Sequence, residues 1–168
     1  MRFNATQGLT AHRIVNERSE EELAETIFRL GEERAARRIA KAIVAARPIE
    51  STTDLADVVS RAAGRTGKRY IHPATRTFQA VRMAVNDELN NIKEGLAQAI
   101  RVLGSGGRLV AISYHSLEDR EVKVTMRESP VLKVLTKKPI PTSQEEVRVN
   151  PRSRSARMRV SERLDGGL

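Results

Sequence analysis

The 168-residue sequence predicts an α/β fold that holds only the C-terminal half of a doubly wound sheet, together with a small all-helical module. Three observations lead to this prediction. Apolar residues recur at helical spacing through residues 10–63, a longer amphipathic stretch spans 78–103, and a continuous apolar run at 109–112 follows a Gly-rich turn. The order helix, turn, strand, helix, strand matches the second half of a doubly wound domain, and strands for a first half are missing.

Four short helices are predicted in the helical module. Each has an apolar stripe at helical spacing, and a residue that can cap or stop a helix stands at most of the boundaries. The second helix starts with a capping box, because a serine is followed by three glutamates. The third helix is expected to begin directly after the second. The predicted caps and stops are Thr10, Ser19, Gly31 and Thr52 or Thr53.

The later half of the chain predicts longer elements. Residues 78–103 form one long helix or two nearly collinear helices, with a weak point at Gly95. Residues 109–112 are typical of a buried strand in a parallel sheet, and Ser116 is expected to cap the helix that follows. Residues 156–161 alternate apolar and polar side chains, which predicts a strand with one buried face.

The composition excludes several classes of protein. The absence of cysteine rules out a disulfide scaffold, and three histidines without spaced partners predict no metal site. No apolar run approaches the roughly 18 residues of a membrane span, so we expect a cytoplasmic protein with no membrane partner. The net charge of +9 is concentrated in residues 61–104 and 120–168, which favours a nucleic acid as the partner.

Three strings carry candidate chemistry, and each has an alternative interpretation. Residues 72–80 open the long helix, where free N–H groups can bind anions, unless the threonines there only cap it. Residues 113–120 follow the apolar strand, at the edge where open α/β sheets bind ligands, unless they too are a capping arrangement. Residues 150–159 concentrate arginines that can pair with phosphates, unless they only protect an edge strand by charge.

Taken together, these strings resemble the ribosomal RNA small subunit methyltransferase H family. Its members use S-adenosylmethionine to methylate the exocyclic N4 amine of a cytidine in the decoding centre of 16S rRNA. The resemblance runs end to end through this chain but covers only the later half of the family's sequence. The matching residues are Met1-Arg2, Thr6-Gln7-Gly8, Gly31-Glu32-Glu33, Arg38-Ile39-Ala40, His72 to Ala80, Ala84 to Leu89, Ile112 to Arg120, Leu135 to Pro139 and Asn150 to Ala156.

The resemblance implies a domain organisation. Residues 1–70 would be a helical module inserted into a Rossmann-like methyltransferase domain, and residues 71–168 would be the C-terminal half of that domain. The strand and Gly-rich turn that bind the cofactor would precede Met1, so no cofactor-binding residue is expected in this chain. We therefore expect the isolated chain to be inactive, with an exposed sheet edge that favours a homodimer or other self-association.

The resemblance also implies roles for individual residues. Methylation of a cytosine amine is a direct displacement at the sulfonium methyl, so the enzyme must hold the base in line and accept hydrogen bonds from the amine. From their position at the carboxyl edge of the sheet, we expect five residues to line the RNA-side wall of a pocket for a base splayed out of its stack: His115, Ser116, Asn150, Arg152 and Ser153. The first three are the expected catalytic residues. The expected rRNA contacts are Arg65, Lys68, Arg69, Arg76, Arg152, Ser153, Arg154, Arg157 and Arg159.

Two other classes of function remain open from the sequence. A non-catalytic rRNA-binding or ribosome-assembly protein could be built from a methyltransferase remnant. A generic helical interaction module is the third class, and the concentrated positive charge makes it the least favoured.

Overall fold

The protein is described from a computed structural model, which covers residues 1–4, 6–64 and 72–165. The chain forms two compact units, Met1–Asp87 and Glu88–Leu168. The described part of the first unit contains only helices, and the second combines helices with a small sheet. The predicted α/β class is therefore confirmed.

Five helices make up the described part of the first unit, and two predicted caps are confirmed there. The Thr10 side chain accepts a hydrogen bond from the Arg13 N–H, and Ser19 forms the predicted capping box with Glu22. The helices are α1 (Ala11–Glu17), α2 (Glu20–Gly31), α3 (Ala36–Ala45), α4 (Thr52–Ala63) and α5 (Thr75–Asn86).

The core of the first unit is aliphatic, as expected from a sequence with few aromatic residues. The predicted apolar stripes of the helices point inward and form one buried cluster, because burying aliphatic surface is the main favourable term in folding. Its fully buried members include Ile14, Leu23, Ile27, Ile39, Ile43, Val59 and Val81.

Two helix starts in the first unit differ from the prediction. Ser51 caps α4 instead of a threonine, because its hydroxyl accepts the Asp54 N–H while the Asp54 carboxylate accepts the Ser51 N–H. Helix α3 begins several residues after α2 ends, because a Glu33 carboxylate oxygen accepts the Ala35 N–H at 2.9 Å and holds a turn there.

Gly31 ends α2 as predicted, but close packing is the reason that this position requires glycine. The left-handed residue after the helix is Glu32, with φ of 48°. A Cβ added to Gly31 would lie 2.6 Å from the Arg76 carbonyl oxygen, on the first turn of α5. The close approach of the two helices therefore needs a residue without a side chain at position 31.

The predicted long helix divides at Asp87 and not at Gly95. Helix α5 ends at Asn86, and α6 (Glu88–Val102) begins after Asp87, whose φ of 48° is left-handed. Aspartate tolerates this conformation better than most residues. Gly95 lies within α6, which continues through it as regular helix.

A four-stranded sheet forms the centre of the second unit. Its strand order is β1-β4-β2, and β3 also pairs with β4. Every pair is antiparallel, so β1 and β2 run parallel to each other on either side of β4. The elements after α6 are β1 (Arg108–Ser113), α7 (Ser116–Glu128), β2 (Leu132–Val134), β3 (Ile140–Pro141), α8 (Gln144–Val149), a 3-10 turn (Pro151–Ser155) and β4 (Arg157–Arg163).

Strand β1 forms where predicted, but its pairing and its burial differ from a buried parallel strand. It pairs antiparallel with β4 in the described residues. Leu109 and Ala111 pack against α6 and α7, whereas Val110 and Ile112 are 53% and 58% exposed. The reason is that these helices form a single layer, which covers one face of the sheet.

Strand β4 buries the opposite set of side chains from the predicted one. Arg159 and Ser161 are buried, at 6% and 0% exposure, and the apolar Met158 and Val160 are only half-buried. The predicted alternation of more buried and less buried side chains along β4 is confirmed. The face is reversed because Arg159 has a buried partner on α7, which the next subsection describes.

Candidate functional site

The structure brings two of the three predicted strings together at one end of the sheet, where β1 stops and β4 starts. We call this region the site edge. Strand β1 ends there at Ser113, and β4 begins there at Arg157, its partner in the antiparallel ladder. The Ser113 hydroxyl donates to the Arg157 carbonyl oxygen at 3.4 Å. The string at 113–120 and the string at 150–159 are therefore adjacent.

His115 is the N-cap of α7, so the capping interpretation is confirmed for this residue, and the cap predicted at Ser116 is wrong. The His115 Nδ1 atom accepts the Glu118 N–H at 3.4 Å. In return, one Glu118 carboxylate oxygen accepts the Tyr114 and His115 N–H groups at 2.7 and 3.2 Å. Ser116 is half-buried as the first residue of the helix.

The Glu118 carboxylate is ionised by the same arrangement. Partial burial of the side chain opposes its charge, but the His115 ring and the two backbone N–H groups stabilise it, so the pKa of Glu118 is held below its usual value. The His115 Nε2 atom is buried and lies 3.3 Å from the second Glu118 oxygen. The negative charge of Glu118 therefore stabilises the N-terminus of α7.

The Glu88, His115 and Glu118 side chains form a cluster with metal-type ligand atoms, all within 4.8 Å of one another. The Nδ1 lone pair of His115 is used by the Glu118 N–H, so the neutral ring carries its proton on Nε2. That proton faces Glu118, where a metal ion would need a lone pair. Nε2 makes no hydrogen bond there, so the contacts that define His115 and Glu118 are those of the helix cap.

Arg159 is committed to a buried ion pair, which corrects its predicted role as an rRNA contact. Its Nε and Nη2 atoms donate to the two Asp119 oxygens at 2.7 and 2.9 Å. Both side chains are about nine-tenths buried, so the edge of the guanidinium that carries Nε and Nη2 is taken by Asp119 and little of the group reaches the surface.

The same pairing keeps Asp119 ionised. The hydrogen bonds from Arg159 are the main cause, and the charges of Arg159 and Arg157 add to them against the effect of burial, so the pKa of Asp119 is lowered. Arg157 lies 3.7 Å from Asp119, and its side chain is half-exposed. Arg157 is therefore anchored at the site edge while part of its guanidinium faces solvent.

The 151–155 turn places two further arginines on the surface beside β4. Arg152 and Arg154 are exposed, and Asn150 is an exposed C-cap whose amide nitrogen donates to Glu146 at 3.3 Å. Ser153 is different, because it is buried and its hydroxyl donates to the Asn150 carbonyl oxygen at 2.8 Å. The prediction that Ser153 contacts rRNA is therefore replaced by a role in closing the turn.

The remaining string, residues 72–80, lies in the first unit, where Arg76 contacts two glutamates. Arg76, which is half-exposed, donates to the Glu32 carbonyl oxygen at 3.2 Å and lies 3.9 Å from the Glu33 carboxylate. Glu33 is 3% exposed, and one of its oxygens has no hydrogen-bond partner. The other predicted contacts of this region, Arg65, Lys68 and Arg69, lie outside the described residues.

The threonines of this string do not cap α5, so the capping part of the alternative interpretation is wrong. The N-cap is Ala74, which makes no side-chain cap, and its own N–H is accepted by the His72 Nδ1 atom at 3.2 Å. Thr77 is fully buried, and its hydroxyl has no partner.

The Gly-rich turn at 104–107 does not fit a nucleotide cofactor. It joins a helix to a strand, whereas dinucleotide turns join a strand to a helix. A Cβ on Gly107 would lie 2.8 Å from the Gly104 carbonyl oxygen, so the glycine allows the turn to close on itself.

Two structural roles were missed at the sequence level. Asp119 lies on the inward stripe of α7 with Val122 and Met126, and an acidic residue on such a stripe is a signal for a buried basic partner. Asn86 holds the start of the chain, because its side chain donates to the Met1 carbonyl oxygen and accepts the Phe3 N–H, each at 2.8 Å. Nothing in its local sequence indicates that contact.

Comparison with known proteins identifies one family and several relatives that share a single name. The family model described as the MraW methylase family matches residues 1–164. The protein named ribosomal RNA small subunit methyltransferase H from Nostoc punctiforme is 51% identical over 98% of this chain, and the one from Acidobacterium capsulatum is 52% identical over 97%. The chain spans about half the length of these relatives, 55% and 56%.

No helix in the described ranges combines the length and the apolar character needed to cross a membrane. The family match covers almost the whole sequence, and the relatives match the later half of their own sequences. The chain therefore belongs to the MraW methylase family.

Proposed function

We propose that this chain is the rRNA-facing half of an S-adenosylmethionine-dependent methyltransferase acting on the N4 amine of a cytidine in the decoding centre of 16S rRNA. The observation that carries the proposal is the site edge, where the histidine string and the arginine string meet at the ends of β1 and β4. The names of the relatives support the class of substrate.

We propose further that the second unit contains the C-terminal part of a Rossmann-like sheet. Strands β1 and β2 run parallel and are linked through α7, which is the crossover unit of doubly wound domains. The helices of the first unit support an inserted module over residues 1–70, although α5 packs with that unit as well.

In the proposed site, Asn150 accepts a hydrogen bond from the target amine. Its amide nitrogen already donates to Glu146, so the amide oxygen is the atom left to accept. His115 and Ser116 form the opposite wall at the start of α7. Fixing the amine in this way orients a weak nucleophile, and this positioning is the contribution that the chain's own residues make.

Phosphates of the rRNA would contact the exposed arginines around the site edge. Arg152, Arg154 and Arg157 lie within one turn and the first residue of β4, with their guanidinium groups wholly or partly in solvent. Arginine forks pair with phosphate oxygens bidentately. Arg76 is the proposed contact in the first unit.

The methyl donor would bind to the half of the methyltransferase domain that relatives carry before the matched region. Because the resemblance places the cofactor-binding strand and Gly-rich turn in that half, we expect the isolated chain to bind no S-adenosylmethionine and to have no activity. Isothermal titration calorimetry tests this expectation, and micromolar affinity would refute it.

The proposed site is tested in the full-length Nostoc punctiforme relative. Alanine at the residue matching Asn150 should lower the single-turnover methylation rate of 30S subunits by roughly 100-fold, as for lost catalytic hydrogen bonds elsewhere. The matched control is alanine at the residue matching Val149, a neighbour that is 84% exposed here. Equal rates for the two variants would contradict the assignment of Asn150.

A non-catalytic rRNA-binding or assembly protein is the second candidate, because the exposed arginines can bind RNA without a cofactor. The nucleotides upstream of the Met1 codon separate the two. A continuous reading frame that encodes a Gly-rich turn favours the enzyme, and a ribosome-binding site favours a separate RNA-binding protein.

A further inference from the structure

Three of the residues proposed to contact rRNA lie in one loop of the second unit, residues 142–156, which is closed at its base. Strand β3 leads into this loop and β4 leaves it, and the two strands pair with each other where the loop begins and ends. Between them lie α8 and the 151–155 turn. Asn150, Arg152 and Arg154 are all exposed residues of this loop, so the contacts that hold the loop also set the positions of these three side chains.

Apolar packing contributes little to the position of the loop. None of the residues of α8, all of which the structure describes, is buried, and Val149 at its end is 84% exposed. In the 151–155 turn, which is described throughout, Ser153 is the single buried residue. A six-residue helix is too short to be stable by itself in water. The loop is therefore held mainly by polar contacts.

Thr142 makes a side-chain contact that joins the two ends of the loop. Its hydroxyl donates to the Ser153 carbonyl oxygen at 2.6 Å, and the Ala156 carbonyl oxygen lies 3.4 Å from the same hydroxyl. Ser153 in turn donates to the Asn150 carbonyl oxygen from its hydroxyl and from its backbone N–H, at 2.8 and 3.0 Å. A chain of hydrogen bonds therefore runs from Thr142, next to β3, through the turn to Asn150.

Loss of the Thr142 hydroxyl should loosen the loop without unfolding the unit. The Ser153 carbonyl oxygen also accepts the Ala156 N–H at 2.8 Å, so it keeps a hydrogen-bond donor when the hydroxyl is removed. The pairing of β3 with β4 uses backbone groups and does not depend on this side chain. A loose loop has to be ordered when it binds a ligand, and that ordering lowers the affinity.

We propose that Thr142 is a positioning residue for rRNA binding, whose hydroxyl fixes the 151–155 turn so that Arg152 and Arg154 are already in place for the phosphates. The inference rests on the proposed function for the identity of the ligand and for the roles of the two arginines. Thr142 is half-buried and acts through the backbone of Ser153, so it makes no contact with rRNA itself.

The affinity of the 168-residue chain for a 16S rRNA fragment, measured by fluorescence anisotropy, tests the proposal. Thr142→Val removes the hydroxyl at nearly constant shape and should weaken binding about 5-fold, the effect of one hydrogen bond. Thr142→Ser keeps the hydroxyl and should bind as the wild type does. Thr136→Val is the matched control, because the half-buried Thr136 hydroxyl bonds to the backbone of β4 at Val160, outside the loop. The control should leave the affinity unchanged.

A double-mutant cycle separates positioning from a general loss of stability. In a background that carries Arg152→Ala and Arg154→Ala, Thr142→Val should have little further effect on affinity, because the side chains that it positions are gone. An undiminished loss of about 5-fold in that background would overturn the proposal. Equal affinities of Thr142→Val and Thr136→Val in the wild-type background would overturn it as well.

Amide hydrogen exchange of the free protein gives a measurement that needs no RNA. The Ser153 and Ala156 N–H groups should exchange faster in Thr142→Val than in the wild type, whereas Thr136→Val should leave both rates unchanged. Unaltered exchange in Thr142→Val would refute the positioning role. If the two arginine substitutions leave rRNA binding unchanged, the proposed rRNA contacts are contradicted, and the exchange rates still decide whether Thr142 holds the turn.

Discussion

Arg159 and Asp119, 40 residues apart in sequence, form a bidentate ion pair between the central strand and α7, with N–O distances of 2.7 and 2.9 Å. Both side chains are buried, so neither can be hydrated in place of its partner. Because Arg157 also approaches Asp119, this one carboxylate connects the helix layer to the beginning of β4, where the proposed rRNA contacts start.

Removing the carboxylate should destabilise the second unit strongly. Asp119→Asn leaves the Arg159 charge buried without a counter-charge, so we expect the free energy of unfolding to fall by about 3 to 5 kcal/mol. Urea denaturation followed by circular dichroism measures the change. The double variant Asp119→Leu with Arg159→Met should recover much of the loss, and a double variant as unstable as Asp119→Asn would contradict the ion-pair explanation.

The pair also predicts a dependence of stability on pH. The pKa of Asp119 is lowered in the folded protein, so its stabilisation is complete above the unfolded-state pKa of about 3.9 and is lost as pH falls toward the folded value. Below about pH 4 the wild-type protein should lose more stability than Asp119→Asn. Thermal melts of both proteins at pH 7 and pH 3 test this, and parallel losses would refute it.

Alanine substitutions at two helical glycines should have opposite effects on stability, because only Gly31 lies at a close contact between helices. Gly31→Ala places a Cβ 2.6 Å from the Arg76 carbonyl oxygen and should destabilise the protein by about 1 to 3 kcal/mol. Gly95→Ala meets nothing within 4 Å inside α6 and should stabilise it by up to about 1 kcal/mol. Thermal melts of the two variants distinguish them. A neutral Gly31→Ala variant would mean that the helices separate easily.

His115 has a capping role here and a proposed catalytic role, and two substitutions separate them. In the full-length relative, alanine at the matching residue should cost about 1 kcal/mol of stability through loss of the cap. Asparagine retains a capping side chain and so should keep the stability, yet it should still lose methylation if the ring lines the base pocket. Full activity of the asparagine variant would reduce His115 to a cap.

The exposed arginines predict a specific effect of salt on rRNA binding. Arg154→Ala should weaken binding of a 16S rRNA fragment and reduce the slope of log K against log salt by about 1. Arg127→Ala is the control, because Arg127 is an exposed arginine in the last turn of α7. Fluorescence anisotropy at several salt concentrations measures both slopes, and identical changes would indicate binding by overall charge only.

Much of the helical structure could be predicted because its causes are local. The caps at Thr10 and Ser19 depend on residues within one turn, and both form as expected. The break at Asp87 was not predicted, because Gly95 is the weaker helix former and the left-handed conformation of Asp87 has no signal in the sequence. Helix α6 tolerates Gly95, which is exposed and costs about 1 kcal/mol.

The candidate site was predictable in location but not in the state of each side chain. The position of the two strings at a strand end followed from the order of elements. The burial of Arg159 and Ser153 did not, because each depends on a partner that the chain brings close only on folding, namely Asp119 for the arginine and the backbone of its own turn for the serine. The alternation of apolar and polar residues therefore predicts a strand at β4 correctly, but it does not predict that the polar side chains are the buried ones.

The arginines of the 151–155 turn are exposed and Arg159 of β4 is buried, which has a practical consequence for preparing the protein. Salt screens charges in solvent far more than it screens a buried pair. If Arg152 and Arg154 bind nucleic acid as proposed, a wash at about 1 M salt should remove it while the Asp119–Arg159 pair keeps the sheet intact. The ratio of absorbance at 260 and 280 nm before and after the wash would report the release, with the chain recovered folded.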